Sequence, residues 1–336
     1  MKVLFITSSR LGDAILSTSL LHYLEKKYPF LDVTVVCGSL PADLFRPIPF
    51  CSSVILMDKK PVAGHWFHLW KELYEIRWDK VIDLRGSLIG YFLKARRRIR
   101  WQAGQNTEKH QVERLRCLIE ASQPITPKLW LAAEPLKKAK STITNPTLAV
   151  APAANWIGKQ WPLEKFIRVL KQFTAAFPSN DILLVAAPHE VDVVRSLQSA
   201  LDTSHIKVLL SPDLAYVAAC LAQCDVFLGN DSGLMHMAAA LGIPAIGLFG
   251  PSDDKRYGPY GKEHYVVRGP LSLGALEKTP GFSYQAGTCY MNDLSFETVW
   301  TTLKQLWEHM HAKVDQLAHI PLRSKSQSLP KGLNPL

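Results

Sequence analysis

Several large protein classes leave marks that this 336-residue chain lacks. Its six cysteines show no CxxC spacing and no HExxH occurs, so neither a disulfide framework nor a zinc motif is expected. No apolar run approaches the roughly 18–20 residues that span a bilayer, and the opening run is too short for a signal peptide. Only a lone Gly12 follows the first apolar run, where a dinucleotide fold would carry GxGxxG, and GxxxxGK[ST] is missing too. Nicotinamide and P-loop chemistry are therefore disfavoured. There is no Asp-x-Asp for a divalent metal, and the adjacent Asp253 and Asp254 are a poor substitute. With 47 % hydrophobic and 20 % charged residues the chain is not disordered. A reduced, cytosolic protein is the expectation.

What is present begins with charge. Lys and Arg number 39 against 29 Asp and Glu, a formal net charge of +10. That favours polyanionic partners: nucleic acid, an anionic membrane surface or phosphorylated substrates.

Short β-rich runs alternate with helical patterns. Residues 2–7 read as a strand and 14–27 as a helix, and the unit recurs through strands at 33–37, 53–57 and 80–84. A helix over 88–97, a strand over 99–103 and a helix over 108–122 follow. Residues 123–146, punctuated by four prolines, read as a domain boundary. A second series then runs from a strand at 147–151 to one at 245–249, with a last helix over 296–311 and a Ser-, Lys- and Pro-rich tail from 313 that reads as disordered. The implied architecture is α/β, with two doubly wound parallel sheets.

Four strand-to-helix junctions carry chemically interesting residues. Asp231, Ser232, Gly233 and His236 follow the apolar run 226–228, at the strand end where open α/β sheets bind ligands. A helix N-terminus there favours phosphate, although the same residues would also suit a capped core helix. Lys159 lies in the loop after the strand at 147–151, either near a diphosphate or simply in solvent. Asp13 ends the first strand–loop unit and reads as a general base or as a first-turn carboxylate. Glu190 reads as a ribose ligand or as a first-turn glutamate. The run Lys94-Ala-Arg96-Arg97-Arg98-Ile-Arg100 reads as a solvated helix end, or as a surface for membrane or acceptor phosphate.

Together these stretches resemble glycosyltransferase family 9, the heptosyltransferases of lipopolysaccharide core synthesis. Gly229-Asn-Asp231-Ser232-Gly233-Leu-Met-His236 is similar to the family's Asp-Thr/Ser-Gly-x-x-His pattern. Lys159-Gln-Trp161-Pro162 is similar to its Lys-x-Trp-Pro, Gly12-Asp13 to its N-terminal Gly-Asp, and Val81-Ile-Asp83-Leu-Arg85-Gly86 to a further stretch. The resemblance implies a GT-B fold, with an acceptor-side domain over 1–145, a donor domain over 146–311 whose last helix packs back on the first, and a tail over 312–336. It implies inverting, metal-independent transfer of heptose from ADP-heptose to Kdo–lipid A or a heptosylated core, at the cytoplasmic face of the inner membrane. Asp13 would be the base. Lys159, Glu190, Asp231, Ser232, Gly233 and His236 would bind the donor, and Arg10, Arg85, Arg96 and Arg97 the acceptor. No nucleic-acid partner is implied. The competing expectations are another GT-B enzyme, a transferase or epimerase using a different nucleotide sugar, and a non-catalytic nucleotide-sugar-binding relative. Ser232 in place of threonine, Ala153 in place of glycine and an extra residue after Cys289 depart from the family pattern.

Overall fold

A computed structural model describes residues 1–57, 64–102, 104, 106–201, 203–284 and 287–318. The first half runs β1 (Lys2–Ile6), α1 (Leu11–Lys27), β2 (Asp32–Cys37), α2 (Ala42–Phe45), β3 (Cys51–Leu56), α3 (Gly64–Leu73), β4 (Arg77–Asp83), β5 (Lys94–Arg100), α4 (Gln111–Leu118) and α5 (Ala133–Thr142). Its strands form a parallel sheet of order β3-β2-β1-β4-β5.

The second half runs β6 (Thr147–Ala151), α6 (Leu163–Ala176), β7 (Asp181–Ala186), α7 (Val191–Ala200), β8 (Ile206–Leu210) and α8 (Leu214–Leu221). It continues through β9 (Val226–Asn230), α9 (Gly233–Ala240), β10 (Ala245–Phe249), α10 (Asp254–Tyr257), β11 (Tyr265–Arg268), α11 (Leu273–Leu276) and α12 (Phe296–Ala318). Its parallel sheet has the order β11-β10-β9-β6-β7-β8. This is the expected GT-B arrangement. The central strands β1, β6 and β9 are covered on both faces, which is why they read as unbroken apolar runs.

Strand order reverses between β1 and β4 in one sheet and between β6 and β9 in the other. A crevice opens at the carboxyl ends of the strands at each such point. An apolar cluster shared by the two halves, in which Ile15 and Leu44 meet Leu214, Val217 and Met235, sets them against each other.

Three local readings are corrected. The helix expected over 88–97 is a single 3-10 turn, Ile89–Phe92, followed by the edge strand β5. The apolar spacing there does suit a helix, but Arg98 Nε donates to Gly90 O at 2.8 Å and its Nη2 to Leu93 O at 2.7 Å. These bonds pin the turn's carbonyls to the strand. The basic run is therefore a charged sheet edge, a common defence of exposed strands. The boundary stretch also holds α5, whose buried Ala139 joins the cluster that contains the α8 side chains. Finally, α12 runs to Ala318, past the expected end, and packs Leu303 and Trp307 into the core of the second half with Phe166 and Phe173. The rest of the tail, 319–336, lies outside the described residues.

Candidate active-site cleft

The first half contributes the loop after β1 and the start of α1. Arg10 occupies the N-cap in an extended conformation and makes no side-chain capping bond. Asp13 follows in the first turn and lines a cavity of about 380 Å³ with Arg10, Arg85, Trp101, Gln111 and two residues of the second half, Arg256 and Tyr257. Burial pushes the Asp13 carboxyl above its ordinary range; the Arg10 and Arg256 charges and a hydrogen bond from Ser8 pull it part of the way back. Such a carboxylate is a stronger base than an exposed one.

The second half contributes two loops tied together by one buried side chain. Asn230, at the end of β9, donates from Nδ2 to Pro152 O at 2.7 Å and accepts at Oδ1 from the Trp161 amide at 3.1 Å. The indole of Trp161 donates to Leu294 O at 3.0 Å. The loop is thus fixed at both ends, and Lys159 Nζ stands 2.6 Å from Asp231 Oδ2. Asp231 is 7 % exposed, so this pair is held largely out of water.

Ser232 is the N-cap of α9, yet its hydroxyl makes no capping bond and is buried without a partner. The first intrahelical bond is made by the His236 amide to Ser232 O at 3.4 Å, so the amides of 233–235 precede the helical ladder. Burial, opposed by the Asp231 charge and reinforced by that of Lys159, lowers the His236 pKa to about 4. The ring is neutral near pH 7 and can only offer hydrogen bonds to an anion.

The two loop systems meet through glycines. A Cβ on Gly12 would lie 2.9 Å from His236 Cδ2, and one on Gly233 would lie 2.6 Å from Leu11 Cδ2. A second tie lies beside them. His110 Nδ1 accepts from the Val112 amide at 3.1 Å, so its Nε2 carries the proton that it donates to Gly258 O at 3.0 Å. Tyr260 packs its tilted ring against His110 and donates to Glu113.

Around this cleft four buried polar atoms have no hydrogen-bond partner among the described residues: Arg85 Nη1, Ser232 Oγ, His236 Nδ1 and Arg256 Nε. Buried polar groups are seldom left so, and a polar or anionic ligand would satisfy them.

The fold therefore gathers Arg10, Asp13, Arg85, Lys159, Asp231, Ser232, Gly233 and His236 around one cleft. Glu190 sits beyond the end of β7, and its Oε2 accepts from the Ala187 amide at 2.8 Å. Arg96 and Arg97 are not in the cleft. Arg97 pairs in register with Lys80, roughly 10 Å before the cleft end of β4, and bonds Glu120; Arg96 is beside Asp79. Asp253 caps α10 and Asp254 pairs with Arg268 at 2.7 Å, so both are committed to structure. Sequence reasoning missed Arg256, Tyr257 and His110. The available signal for Arg256 was its position just after β10, the neighbour of β9. Among the described residues no three His, Cys, Asp or Glu side chains gather as a metal site would require.

The sequence pattern of glycosyltransferase family 9 (heptosyltransferase) matches residues 66–282. Lipooligosaccharide heptosyltransferase 2 of Campylobacter jejuni is 25 % identical over 327 residues, covering 93 % of this chain and 100 % of that protein. The solved Escherichia coli ADP-heptose lipopolysaccharide heptosyltransferase II superposes with a TM-score of 0.75 at 22 % identity, over 93 % of this chain and 100 % of the other. The E. coli heptosyltransferase WaaC, solved with ADP, gives 0.70 at 21 % identity, over 91 % and 100 %. This chain belongs to glycosyltransferase family 9 and is a glycosyltransferase of GT-B fold.

Proposed function

We propose that the enzyme moves a heptose from ADP-heptose to the inner core of lipopolysaccharide, Kdo–lipid A or a heptosylated core, with inversion and without a metal. The observation that carries this reading is the convergence of two switch points on one cleft. A buried carboxylate comes from one sheet, and a lysine, a helix N-terminus and a neutral histidine come from the other. The names of the relatives support the donor and acceptor: the E. coli relative is an ADP-heptose enzyme of lipopolysaccharide, and WaaC was solved with ADP.

In this reading the first half takes the acceptor and the second the donor. Asp13 accepts the proton of the acceptor hydroxyl as its oxygen attacks the anomeric carbon, on the face opposite the departing ADP. The anomeric C–O bond to the diphosphate breaks, and negative charge grows on the leaving group. Lys159 exchanges Asp231 for that diphosphate, while the first-turn amides of α9, Ser232 Oγ and His236 donate hydrogen bonds to it. Glu190 takes the ribose, and Arg10 and Arg85 hold anionic groups of the acceptor. The work takes place at the cytoplasmic face of the inner membrane.

The test is ADP release from ADP-heptose with a heptose-free Kdo–lipid A acceptor, in chelator. Wild type should turn over, and Asp13→Ala should lose about 100- to 10,000-fold in rate while still binding ADP. Lys159→Ala should raise the barrier by about 3–4 kcal/mol. Wild type that binds ADP but releases none would reject this acceptor and point to a heptosylated core. Competition by UDP but not ADP would overturn the donor.

A further inference from the structure

Outside the cleft, a wide apolar concavity lies on the first half. Trp66, Phe67 and Trp70 of α3 and Leu88, Ile89 and Phe92 of the following loop and turn line a groove of about 660 Å³. Its rim is exposed to a degree rare for such side chains: Phe67 is 64 % exposed, Leu88 61 % and Phe92 70 %, with Tyr91 beside them at 63 %. The groove is a built feature. The Trp70 indole donates to Phe92 O at 3.2 Å and stacks on Tyr74, while Leu69 and Leu73 on the other side of α3 are buried in the core.

The segment that builds it is basic. Residues 64–100 hold nine lysines and arginines against four carboxylates. Lys71, Lys94 and Arg96 of this segment are exposed. Aromatic side chains beside basic ones match the boundary between lipid headgroups and acyl chains of an anionic bilayer. A second copy of the chain is a poorer fit, because a two-fold interface would set this basic segment against itself. The groove also adjoins the cleft: the Arg85 guanidinium, which lines the Asp13 cavity, lies 5.7 Å over the Trp66 ring.

We infer that this groove is the surface by which the enzyme docks on an anionic lipid bilayer, with Phe67 and Phe92 entering the interface and Lys94 and Arg96 on the headgroups. The inference deepens the proposed membrane setting, and it does not depend on which sugar is transferred. Docked so, the enzyme holds the Arg85 side of its cleft next to the lipid surface.

Co-flotation of the full chain with phosphatidylcholine vesicles, with and without one quarter phosphatidylglycerol, tests it. Wild type should float with the anionic vesicles and at least ten-fold less with the neutral ones. Phe67→Ser/Phe92→Ser should cut the bound fraction at least ten-fold while ADP binding and the melting temperature stay unchanged, which excludes misfolding. Lys94→Glu/Arg96→Glu should remove the preference for anionic vesicles. Wild type that floats with neither vesicle would overturn both the docking surface and the membrane setting. Serine variants that float like wild type would overturn the surface and leave the membrane setting standing. Concentration-dependent dimerisation that the serine variants abolish, without wild-type flotation, would assign the groove to a second copy.

Discussion

Arg256 and Asp13 come from different halves of the molecule, yet the charge of the first bears on the second. The Arg256 charge is among the influences that hold the Asp13 pKa down against the larger effect of burial. Removing it leaves burial less opposed, so the carboxyl should hold its proton to a higher pH. As the proposed base must be ionised, Arg256→Ala should shift the acid limb of the kcat/KM profile upward, beyond any uniform loss of rate. An unchanged limb with lower activity would confine Arg256 to substrate binding. Lys159 gives a contrasting case. Its 2.6 Å pair with Asp231 was not legible from sequence, because the two residues are 72 apart and meet only through the Asn230 bridge. The lysine itself was legible, because a basic residue in a strand-to-helix loop of a parallel sheet lies near a binding edge whatever its partner.

Among the elements, the junction of α1 and α9 depends on the absence of two side chains. At Gly233 the nearest obstacle includes Leu11 Cβ at 2.9 Å, which cannot swing away as a side-chain tip can. Alanine is the better helix former by up to about 1 kcal/mol in an interior, less at a first turn. Overpacking at a tight contact costs about 1–3 kcal/mol. The clash should win. Gly233→Ala should lower the melting temperature and weaken ADP binding together, since the helix start is where both effects meet. A rise in melting temperature would mean that α1 shifts freely. The same scale shows why sequence reading succeeded where it did. Buried parallel strands such as β6 and β9 are apolar on both faces and announce themselves. β5 carries four arginines, and it is a strand through its backbone pairing with β4, with Arg98 and Arg100 bonding carbonyls of the preceding loop and turn. α5 was obscured by flanking prolines and by an amphipathic face whose partner, α8, lies far along the chain.

At the scale of the whole molecule, burial holds His236 neutral at the meeting of the two halves. The ring is 5 % exposed, stands against Gly12 of the opposite half, and has a pKa of about 4 where an unfolded chain has about 6.5. Below pH 6.5 the unfolded state takes up a proton that the folded state refuses, so folding stability falls with pH and continues to fall down to about 4. A gap of this size corresponds to about 3 kcal/mol across the window. His264 adds a loss of the same sign, its pKa lowered to about 4 by burial. Because the apolar cluster joins Ile15 and Leu44 to the helices of the second half, that loss should be felt by both halves in one transition. Denaturant melts at steps between pH 7 and 4 should show a single transition whose midpoint falls steadily. His236→Asn, which has no proton to gain, should be less stable at pH 7 and lose less stability on acidification, by roughly one proton's worth of slope. Equal slopes in variant and wild type would mean that the ring protonates in the folded protein at no cost, and that its burial does not couple the halves to pH.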